Sequence, residues 1–296
     1  MVEHATRADL IFLTGDLGFM ALEPLRAAMG RRFVNAGVAE QNMVGVAAGM
    51  AREGMRPWTY SIAPFIYARP FEQVRNDVCL HRLPVVMVGN GGGYGYGVMG
   101  ATHHALEDYG VLLTLQSLRA FVPAFDSDIL PAVTRLMDIS QPAYLRLGLD
   151  EAPTGFARPD YAAWRRLVRG SGATLLACGP LAGGLIPAIE ELPVAVRPTV
   201  WLVSELPIDR LPPEFLEDVR ESHHVVVVEE HVAGGGVGEQ LARQLLLEGV
   251  APRRFSHHCA AGYPSGRYGS QKFHRRECGL DPRAILASLT APKARG

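Results

Sequence analysis

A single glutamate, Glu40, stands at the start of a helical pattern that is otherwise built from small and apolar residues. The segment NAGVAEQNMVGVAAGMAREG spans residues 35–54, and Met43, Ala47 and Met50 recur in it at helical spacing. A carboxylate in a first turn is favoured by the helix dipole, so Glu40 could simply cap a solvated helix end. It could instead exchange a proton inside a buried site. From the residues alone, the cap is the favoured interpretation.

A pair of histidines follows a glycine-rich loop. Seven of the twelve residues in 89–100 are glycine, and this loop comes directly after an apolar strand pattern. Loops at the carboxyl ends of strands are where α/β sheets place their ligands. The loop has neither GxGxxG nor GxxxxGK[ST] spacing, so it is compatible with phosphate binding without being diagnostic of it. His103 and His104 come next, at the predicted start of a helix containing Leu106 and Tyr109, and a functional role is as well supported as a structural one.

Aromatic rings surround one cation in YSIAPFIYARPFEQVRND, residues 60–77. Phe65, Tyr67 and Phe71 flank Arg69 between a strand pattern and a helix pattern. Considered alone, this group is best explained as an aromatic part of the core.

Neither a metal site nor a disulfide framework is predicted. The four cysteines, Cys79, Cys178, Cys259 and Cys278, include no CxxC pair, which favours reduced structural thiols. The last two lie near several histidines, but the spacing of that tract matches no regular zinc motif.

An alternation of strands and helices must position these groups. Short apolar runs alternate with helical patterns along the whole chain, which is typical of an α/β fold with mostly parallel sheets. Strands are predicted at 8–14, 56–61, 83–89, 120–124, 142–147, 173–179, 199–204 and 224–230. Helices are predicted at 39–53, 68–80, 127–139, 181–191 and 236–248. Asp126 and Ser127 are predicted to cap the third of these helices.

Composition changes near the middle of the chain. The stretch GLDEAPTGFARPDYAAWRRLVRGSG, residues 148–172, is rich in glycine, proline and charge and follows the strand that closes the first half. We therefore predict two doubly wound domains with mostly parallel sheets, at residues 1–155 and 173–296, joined by a linker at 156–172.

Charge and hydropathy restrict the partners. The 296 residues include 29 basic and 30 acidic side chains, and a net charge of −1 argues against a surface for nucleic acid or for an anionic membrane. No apolar run is long enough to span a bilayer, and the N-terminus carries charges where a signal peptide needs apolar residues. We therefore expect a cytoplasmic protein that is free to associate.

Together, these segments resemble the C-terminal half of the transketolase family of thiamine-diphosphate enzymes. GVAEQNMVGVAAGMA is similar to the signature helix of that family, and APFIYARPFEQVRND is similar to its cofactor-ring pocket. GATHHALEDYGVL resembles its substrate-side histidine motif, and PAYLRLG resembles the last strand of its pyrimidine-binding domain. Residues 173–290 are similar to its C-terminal domain. The resemblance covers nearly the whole chain and implies these two domains in this order.

The resemblance implies a cofactor-binding role for several residues. Glu40 matches the glutamate that hydrogen-bonds the aminopyrimidine ring of thiamine diphosphate and thereby promotes formation of the thiazolium ylide. Phe65 would stack on the pyrimidine, and Arg69 would lie in the same pocket. Ile62 replaces an aromatic residue of that pocket, and Asp16, in LTGDLGF, matches a residue near the thiazolium.

The resemblance also implies a substrate side. His103 would contact oxygen atoms of the substrate or intermediate, with His104 beside it, and Arg146 matches an arginine that meets the phosphate of the sugar. Met99 stands where transketolases have an acidic residue, and Gly91 stands where they have a histidine. The side chain of neither residue can hydrogen-bond a sugar hydroxyl, which argues against a standard sugar-phosphate acceptor, whereas Arg146 implies a phosphorylated ketose donor.

A partner chain is implied by what the sequence lacks. The family binds Mg²⁺ and the diphosphate through a GDG-then-Asn motif of its N-terminal domain, and this chain has no GDG. The resemblance therefore implies a split enzyme in which an N-terminal-type subunit carries the diphosphate and Mg²⁺ site. The cofactor would then lie between the chains of an α₂β₂ heterotetramer, and no metal ligand is expected in this chain.

From these motifs together, we expect a subunit that transfers a two-carbon ketol unit from a ketose phosphate to an aldose or to a carrier-bound, lipoyl-type acceptor. One alternative is the β subunit of a decarboxylase of the 2-oxoacid dehydrogenase type, which release of carbon dioxide would identify. Another is a non-catalytic scaffold or regulatory subunit. The joint presence of Glu40, Phe65 and His103 argues against the scaffold.

Overall fold

Two β-sheets form the frame of the protein, whose computed structural model describes residues 1–290. The strands are β1 (Leu10–Thr14), β2 (Phe33–Asn35), β3 (Arg56–Ile62), β4 (Val86–Asn90), β5 (Arg119–Phe121), β6 (Ala143–Arg146), β7 (Trp164–Val168), β8 (Thr174–Cys178), β9 (Thr199–Val203), β10 (Glu205–Leu206), β11 (His224–Glu229) and β12 (Arg254–His258). The helices are α1 (Glu23–Met29), α2 (Glu40–Arg52), α3 (Ala63–Ala68), α4 (Phe71–Gln73), α5 (Asp108–Leu112), α6 (Asp126–Met137), α7 (Leu181–Glu190), α8 (Pro213–Ser222), α9 (Val237–Leu247), α10 (Gln271–Glu277) and α11 (Pro282–Thr290). The end of the predicted second domain, residues 291–296, lies outside the described residues.

Both sheets are mostly parallel. The first has the order β10-β5-β6-β4-β3-β1-β2, and only β10 runs antiparallel to its neighbour. The second has the order β12-β11-β8-β9-β7, with β7 as an antiparallel edge strand. Central strands such as β1, β8 and β9 are buried along their whole length, as expected for strands covered by helices on both faces. The predicted α/β fold is confirmed.

Strand β7 lies inside the segment that the sequence predicts as a linker, 156–172, so that prediction is wrong for residues 164–168. The strand is not recognised in the sequence because the charged run WRRLVR, residues 164–169, interrupts the apolar pattern. Arg165 is buried because Asp128 neutralises it, while Trp164 and Leu167 pack against the apolar core. An edge strand with one buried ion pair does not show the apolar pattern of a central strand.

The division between the two halves is also less clean than predicted. Strand β10 comes after β9 of the second sheet, yet it pairs with β5 at the edge of the first sheet. The largest apolar cluster contains Met87 and Tyr144 from the first sheet together with Leu176 and Val225 from the second. The two sheets therefore share a continuous core.

Two predictions about the starts of helices are wrong: the start of the helix at 68–80 and the capping residue of the helix at 127–139. The predicted helix 68–80 is split, because α3 ends at Ala68, Pro70 interrupts the pattern, and α4 continues as a π-helical segment to Cys79. Helix α6 is capped neither by Asp126 nor by Ser127. The carboxylate of Asp128 accepts the backbone N–H groups of Ala124 and Phe125 instead, at 3.0 and 3.1 Å.

The histidine pair does not begin a helix. His103 and His104 lie in a turn that follows the glycine-rich loop, and α5 starts only at Asp108. The strand-like pairing of Gly93 with Ala105 closes this loop at its base, so the loop and the two histidines form one folded unit.

Candidate active site

The candidate residues gather at the carboxyl edge of the first sheet. Asp16 lies two residues after the end of β1, and Glu40 begins α2. Phe65 and Arg69 lie in and just after the helix that follows β3. The glycine-rich loop leaves the same edge after β4. In open α/β sheets, ligands bind in the crevice outside the carboxyl ends of the strands, so the topology puts this group at the expected place.

Glu40 is a buried carboxylate with two partners. Its side chain is 2% exposed. One oxygen, Oε1, accepts a hydrogen bond of 2.9 Å from the hydroxyl of Ser61, and Oε2 lies 2.8 Å from the Arg69 guanidinium. The N-cap residue of α2 is Ala39, and no side chain caps the helix. The interpretation of Glu40 as a helix cap is therefore wrong, because its carboxylate points to the end of β3.

Arg69 joins Glu40 to an aromatic ring. Its guanidinium carbon lies 3.8 Å from the centroid of the Phe65 ring, within the distance of a cation–π contact. The Arg69 side chain is 42% exposed, so this cation reaches from solvent to the buried carboxylate. The planar guanidinium can bind the carboxylate at its edge while its face covers the ring.

His103 stands on the other side of Phe65. The two ring centroids are 5.2 Å apart in an edge-to-face arrangement, and Nδ1 of His103 lies 2.9 Å from the hydroxyl of Thr102. Within residues 1–290, Nε2 of His103 has no hydrogen-bond partner. The structure thus brings Glu40, Arg69, Phe65 and His103 into one line of contacts that ends in a free imidazole nitrogen.

His104 faces away from this line into the protein. Nδ1 lies 2.8 Å from the hydroxyl of Tyr263, and Nε2 lies 2.8 Å from the carbonyl oxygen of Gly97. Burial lowers the pKa of His104, which favours the neutral imidazole. Both ring nitrogens are used inside the protein, so a contact with substrate would require one of these bonds to break.

Arg146 is fixed in the interior as well. Nε donates to Asp108 at 2.8 Å, and one terminal nitrogen donates to the carbonyl oxygens of Ala105 and Glu230 at 2.8 and 3.0 Å. The guanidinium also lies over the ring of Tyr109. These bonds hold the loop before α5 against the second sheet, and a direct contact with a substrate phosphate would need Arg146 to leave them.

The remaining predicted residues, Asp16, Ile62 and Met99, are more exposed than Glu40. Asp16 is exposed, has a positive φ of 58° and accepts a hydrogen bond of 2.7 Å from the amide of Asn35. Ile62, the last residue of β3, is half-buried, and Met99 is 54% exposed on the glycine-rich loop. None of the three has a described contact with Glu40.

Three further residues at this edge escape prediction from the sequence. Ser61 binds Glu40, Asn90 is the last residue of β4, and Tyr96 packs 5.9 Å from the His103 ring. Asn90 carries a signal, since it is a polar residue between an apolar strand and a glycine-rich loop. The roles of Ser61 and Tyr96 depend on contacts that the sequence does not display.

Two other kinds of site are absent from the described part of the chain. Within residues 1–290, no group of three or more His, Cys, Asp or Glu side chains could hold a metal ion. No helix in the same range combines the length and the apolar character needed to cross a membrane.

Comparison with known proteins agrees with this geometry. Residues 3–153 match the family described as "Transketolase, pyrimidine binding domain". The chain is 30% identical to one of the subunits of the apulose-4-phosphate transketolase of Actinobacillus succinogenes, over 94% of this chain and 90% of that relative. It is 30% identical to 1-deoxy-D-xylulose-5-phosphate synthase of Heliobacterium modesticaldum, over 88% of this chain but 40% of that relative.

Structural comparison extends the likeness to both sheets. A solved structure described as a split gene transketolase, inactive beta4 tetramer, superposes with a TM-score of 0.81 and 27% identity, covering 97% of this chain and 93% of that one. The similarity therefore includes the second sheet, which lies outside the segment that matches the pyrimidine-binding domain. These matches confirm the resemblance seen in the motifs, and the chain belongs to the transketolase family as a C-terminal subunit.

Proposed function

We propose that this chain binds the pyrimidine half of thiamine diphosphate and, with a partner subunit, transfers a two-carbon ketol unit from a ketose phosphate. The observation that carries the proposal is the buried carboxylate of Glu40. It lies at the ligand-binding edge of the first sheet, beside Phe65 and Arg69, within the segment that matches the pyrimidine-binding domain. Membership of the transketolase family implies dependence on this cofactor.

The described residues fit the pyrimidine end of the cofactor. Each oxygen of Glu40 has one side-chain partner, which leaves acceptor capacity on the carboxylate. Phe65 supplies an aromatic face and Ile62 an apolar one, as an aromatic heterocycle requires. Thiamine diphosphate, when bound, supplies the electron sink for breaking the carbon–carbon bond of the ketose.

The residues of this chain hold charge and protons around that ring. Glu40 would share a proton with a ring nitrogen, Ser61 fixes one carboxylate oxygen, and Arg69 balances the negative charge. His103 has a free Nε2 beside Phe65, so it is suited to exchange a hydrogen bond or a proton with a substrate oxygen. Asp16, which lies at the same edge of the sheet, would contribute to binding the cofactor near its thiazolium ring.

The diphosphate end would belong to the partner. The sequence has no GDG motif, and a subunit that carries GDG and a following asparagine would supply the ligands for Mg²⁺ and the diphosphate. The similar structure described as an inactive tetramer of β chains supports dependence on a second kind of chain. We infer an α₂β₂ assembly with the cofactor between the subunits.

The donor is proposed to be a phosphorylated ketose. The names of two similar proteins contain apulose 4-phosphate and 1-deoxy-D-xylulose 5-phosphate, which supports a sugar phosphate in this site. The acceptor would be an aldose or a carrier-bound, lipoyl-type group. If the assembled enzyme released carbon dioxide from a 2-oxoacid, the decarboxylase alternative would replace this assignment.

The test compares two glutamates of the same helical segment. In the complex with the N-terminal-type subunit, Glu40→Gln should lower ketol transfer from apulose 4-phosphate or xylulose 5-phosphate by about 10²–10⁴-fold, because a proton-sharing carboxylate is lost. Glu53→Gln, at the exposed end of α2, is the matched control and should leave the rate unchanged. Retained activity in Glu40→Gln would exclude the proposed role of Glu40. Turnover by the purified chain alone, with cofactor and Mg²⁺, would exclude the split enzyme.

A further inference from the structure

The glycine-rich loop folds a tyrosine over its own first glycine. Gly91 has a positive φ of 73°, and a Cβ atom at this position would lie only 2.3 Å from Cε2 of Tyr96. The ring of Tyr96 therefore occupies the space that any side chain at position 91 would need. Since Gly91 itself has no side chain, a side-chain hydrogen bond from this part of the loop to a ligand must come from another residue.

Asn90 fixes the phenol of Tyr96. The amide nitrogen of Asn90 donates a hydrogen bond of 3.0 Å to the phenol oxygen. Because the oxygen accepts this bond, the phenol hydrogen is not used in it, and within residues 1–290 the phenol donates no hydrogen bond of its own. Tyr96 and Asn90 are both half-buried, so the phenol is held in place but not closed off from solvent.

Tyr96 lies next to the line of contacts in the candidate active site. Its ring centroid is 5.9 Å from that of His103, whose other neighbour is the ring of Phe65 at 5.2 Å. Asn90 is paired in the sheet with Ile62, the residue that ends β3. The free phenol hydrogen and the free Nε2 of His103 are thus presented at the same carboxyl edge of the sheet.

We propose that Tyr96 is a substrate-binding residue whose phenol donates a hydrogen bond to an oxygen of the sugar phosphate, and that Asn90 is the positioning residue that directs this hydrogen outward. The proposal rests on the proposed function, because it takes the ligand of this site to be a polyhydroxylated sugar phosphate. It explains how a loop with a glycine at position 91 and Met99 at its exposed end still offers a donor to a sugar oxygen.

Two substitutions isolate the direction of the hydrogen bond. Tyr96→Phe keeps the ring over Gly91 and removes only the hydroxyl. Asn90→Asp keeps the size of the side chain, but a carboxylate only accepts hydrogen bonds, so it would capture the phenol hydrogen. Tyr268→Phe is the matched control, because Tyr268 also lies against a glycine of this loop, Gly100, and is 55% exposed.

The experiment measures kcat and KM for the ketose phosphate in the assembled enzyme, together with the thiamine diphosphate Kd from quenching of tryptophan fluorescence. One neutral hydrogen bond to substrate predicts a loss of about tenfold in kcat/KM for Tyr96→Phe and for Asn90→Asp. We expect this loss mainly in KM, with an unchanged cofactor Kd and an unchanged Tm. Tyr268→Phe should behave as the wild type.

The outcomes separate the inference from the proposed function. If the wild-type enzyme transfers the ketol unit and Tyr96→Phe is equally active, the inference is contradicted while the proposed function is not. If kcat/KM falls in Tyr96→Phe but KM in Asn90→Asp equals that of the wild type, the role of Asn90 is contradicted. If Tyr96→Phe lowers Tm or weakens thiamine diphosphate binding, the Tyr96 hydroxyl supports the structure of the loop and does not bind substrate. Two results together would contradict both proposals. They are an assembled wild-type enzyme that shows no ketol transfer, and a Glu40→Gln variant whose thiamine diphosphate Kd equals that of the wild type.

Discussion

Arg69 contacts the two groups to which we have assigned a role in pyrimidine binding, the carboxylate of Glu40 and the ring of Phe65. It therefore stabilises the buried charge in the subunit, and it must share or yield these contacts when a ligand enters. Removing a partner from a buried carboxylate leaves an uncompensated charge in the interior. The contribution of Arg69 can be measured on the isolated chain, without a partner or a cofactor.

We expect Arg69→Met to lower the free energy of unfolding by about 1–3 kcal/mol. The value is below the cost of breaking a fully buried pair because the Arg69 side chain is 42% exposed and water screens part of the interaction. Methionine keeps the apolar contact with Phe65. Urea unfolding measures the effect, with the exposed Arg75→Met as control. In the double variant Glu40→Gln/Arg69→Met most of the loss should disappear, and an additive double variant would contradict the charge explanation.

His104 makes the stability of the protein depend on pH in a defined direction. Burial lowers the pKa of His104, so the folded protein takes up this proton at a lower pH than the unfolded chain, whose histidines titrate near 6.5. The unfolded state then binds more protons just below pH 6.5. The contribution is therefore complete above that pH and is lost as the pH falls below it.

We expect His104→Gln to flatten the decline in unfolding free energy between pH 6.5 and 5. The change is limited to about 1.4 kcal/mol per pH unit, the slope for one proton. Burial also lowers the pKa of His224 and His258, so the observable is the difference in slope from the wild type. The exposed His81→Gln serves as control. Equal slopes in wild type and His104→Gln would exclude this origin of the pH dependence.

At the scale of elements, the sequence pattern locates the central strands and most of the long helices, but it misses α8 and the edges of the sheets. Buried strands such as β8 and β9 are continuous apolar runs, which a pattern detects directly. Strands β2 and β12 are short or half-exposed and contain polar residues, so their pairing is decided by neighbours far along the chain. Strand β7 falls within the predicted linker because its buried Arg165 needs Asp128, a residue of another element.

The candidate site divides in the same way. Glu40, Phe65, Arg69 and His103 can be predicted from the order of motifs, because each lies in a segment that resembles its counterpart in the family. The sequence does not reveal which of them touch, since that depends on the helix after β3 turning Arg69 back towards α2. The sequence does not distinguish His104 from His103 either. The contacts of His104 with Tyr263, 159 residues later, and with the carbonyl oxygen of Gly97 are what separate the two histidines.

The start of α6 offers a test of an element for which the sequence predicts the wrong capping residue. Asp128→Ala should lower the free energy of unfolding by about 3–5 kcal/mol, because it leaves the buried Arg165 without its carboxylate partner. It also removes the acceptor of the backbone N–H groups of Ala124 and Phe125. Asp126→Ala removes the exposed carboxylate at the start of the same helix, and we expect a loss below about 1 kcal/mol. Denaturant unfolding distinguishes the two. Equal losses would mean that the buried pair between α6 and β7 contributes no more to stability than the exposed carboxylate.

At the scale of the whole molecule, polar contacts reinforce the shared core. Glu230, which follows the central strand β11 of the second sheet, accepts the backbone N–H of Tyr94 at 2.6 Å and pairs with Arg275. Arg275 also pairs with Glu151, in the segment between the sheets. The glycine-rich loop that carries Tyr96 is therefore anchored to the second half of the chain, so the candidate site depends on both halves even though its residues come from the first.

We consequently expect the two halves to unfold in one transition. Trp58 reports on β3 of the first sheet and Trp201 on β9 of the second, and both are buried. Variants that keep one of these tryptophans, with the others changed to phenylalanine, allow each sheet to be followed by fluorescence during urea unfolding. The change in unfolding midpoint caused by Arg275→Met should be the same with either reporter, because the continuous core and the pairing of β10 with β5 couple the sheets. If Arg275→Met moved only the Trp201 midpoint, the sheets would unfold separately and the loop with Tyr96 would be held by the first sheet alone.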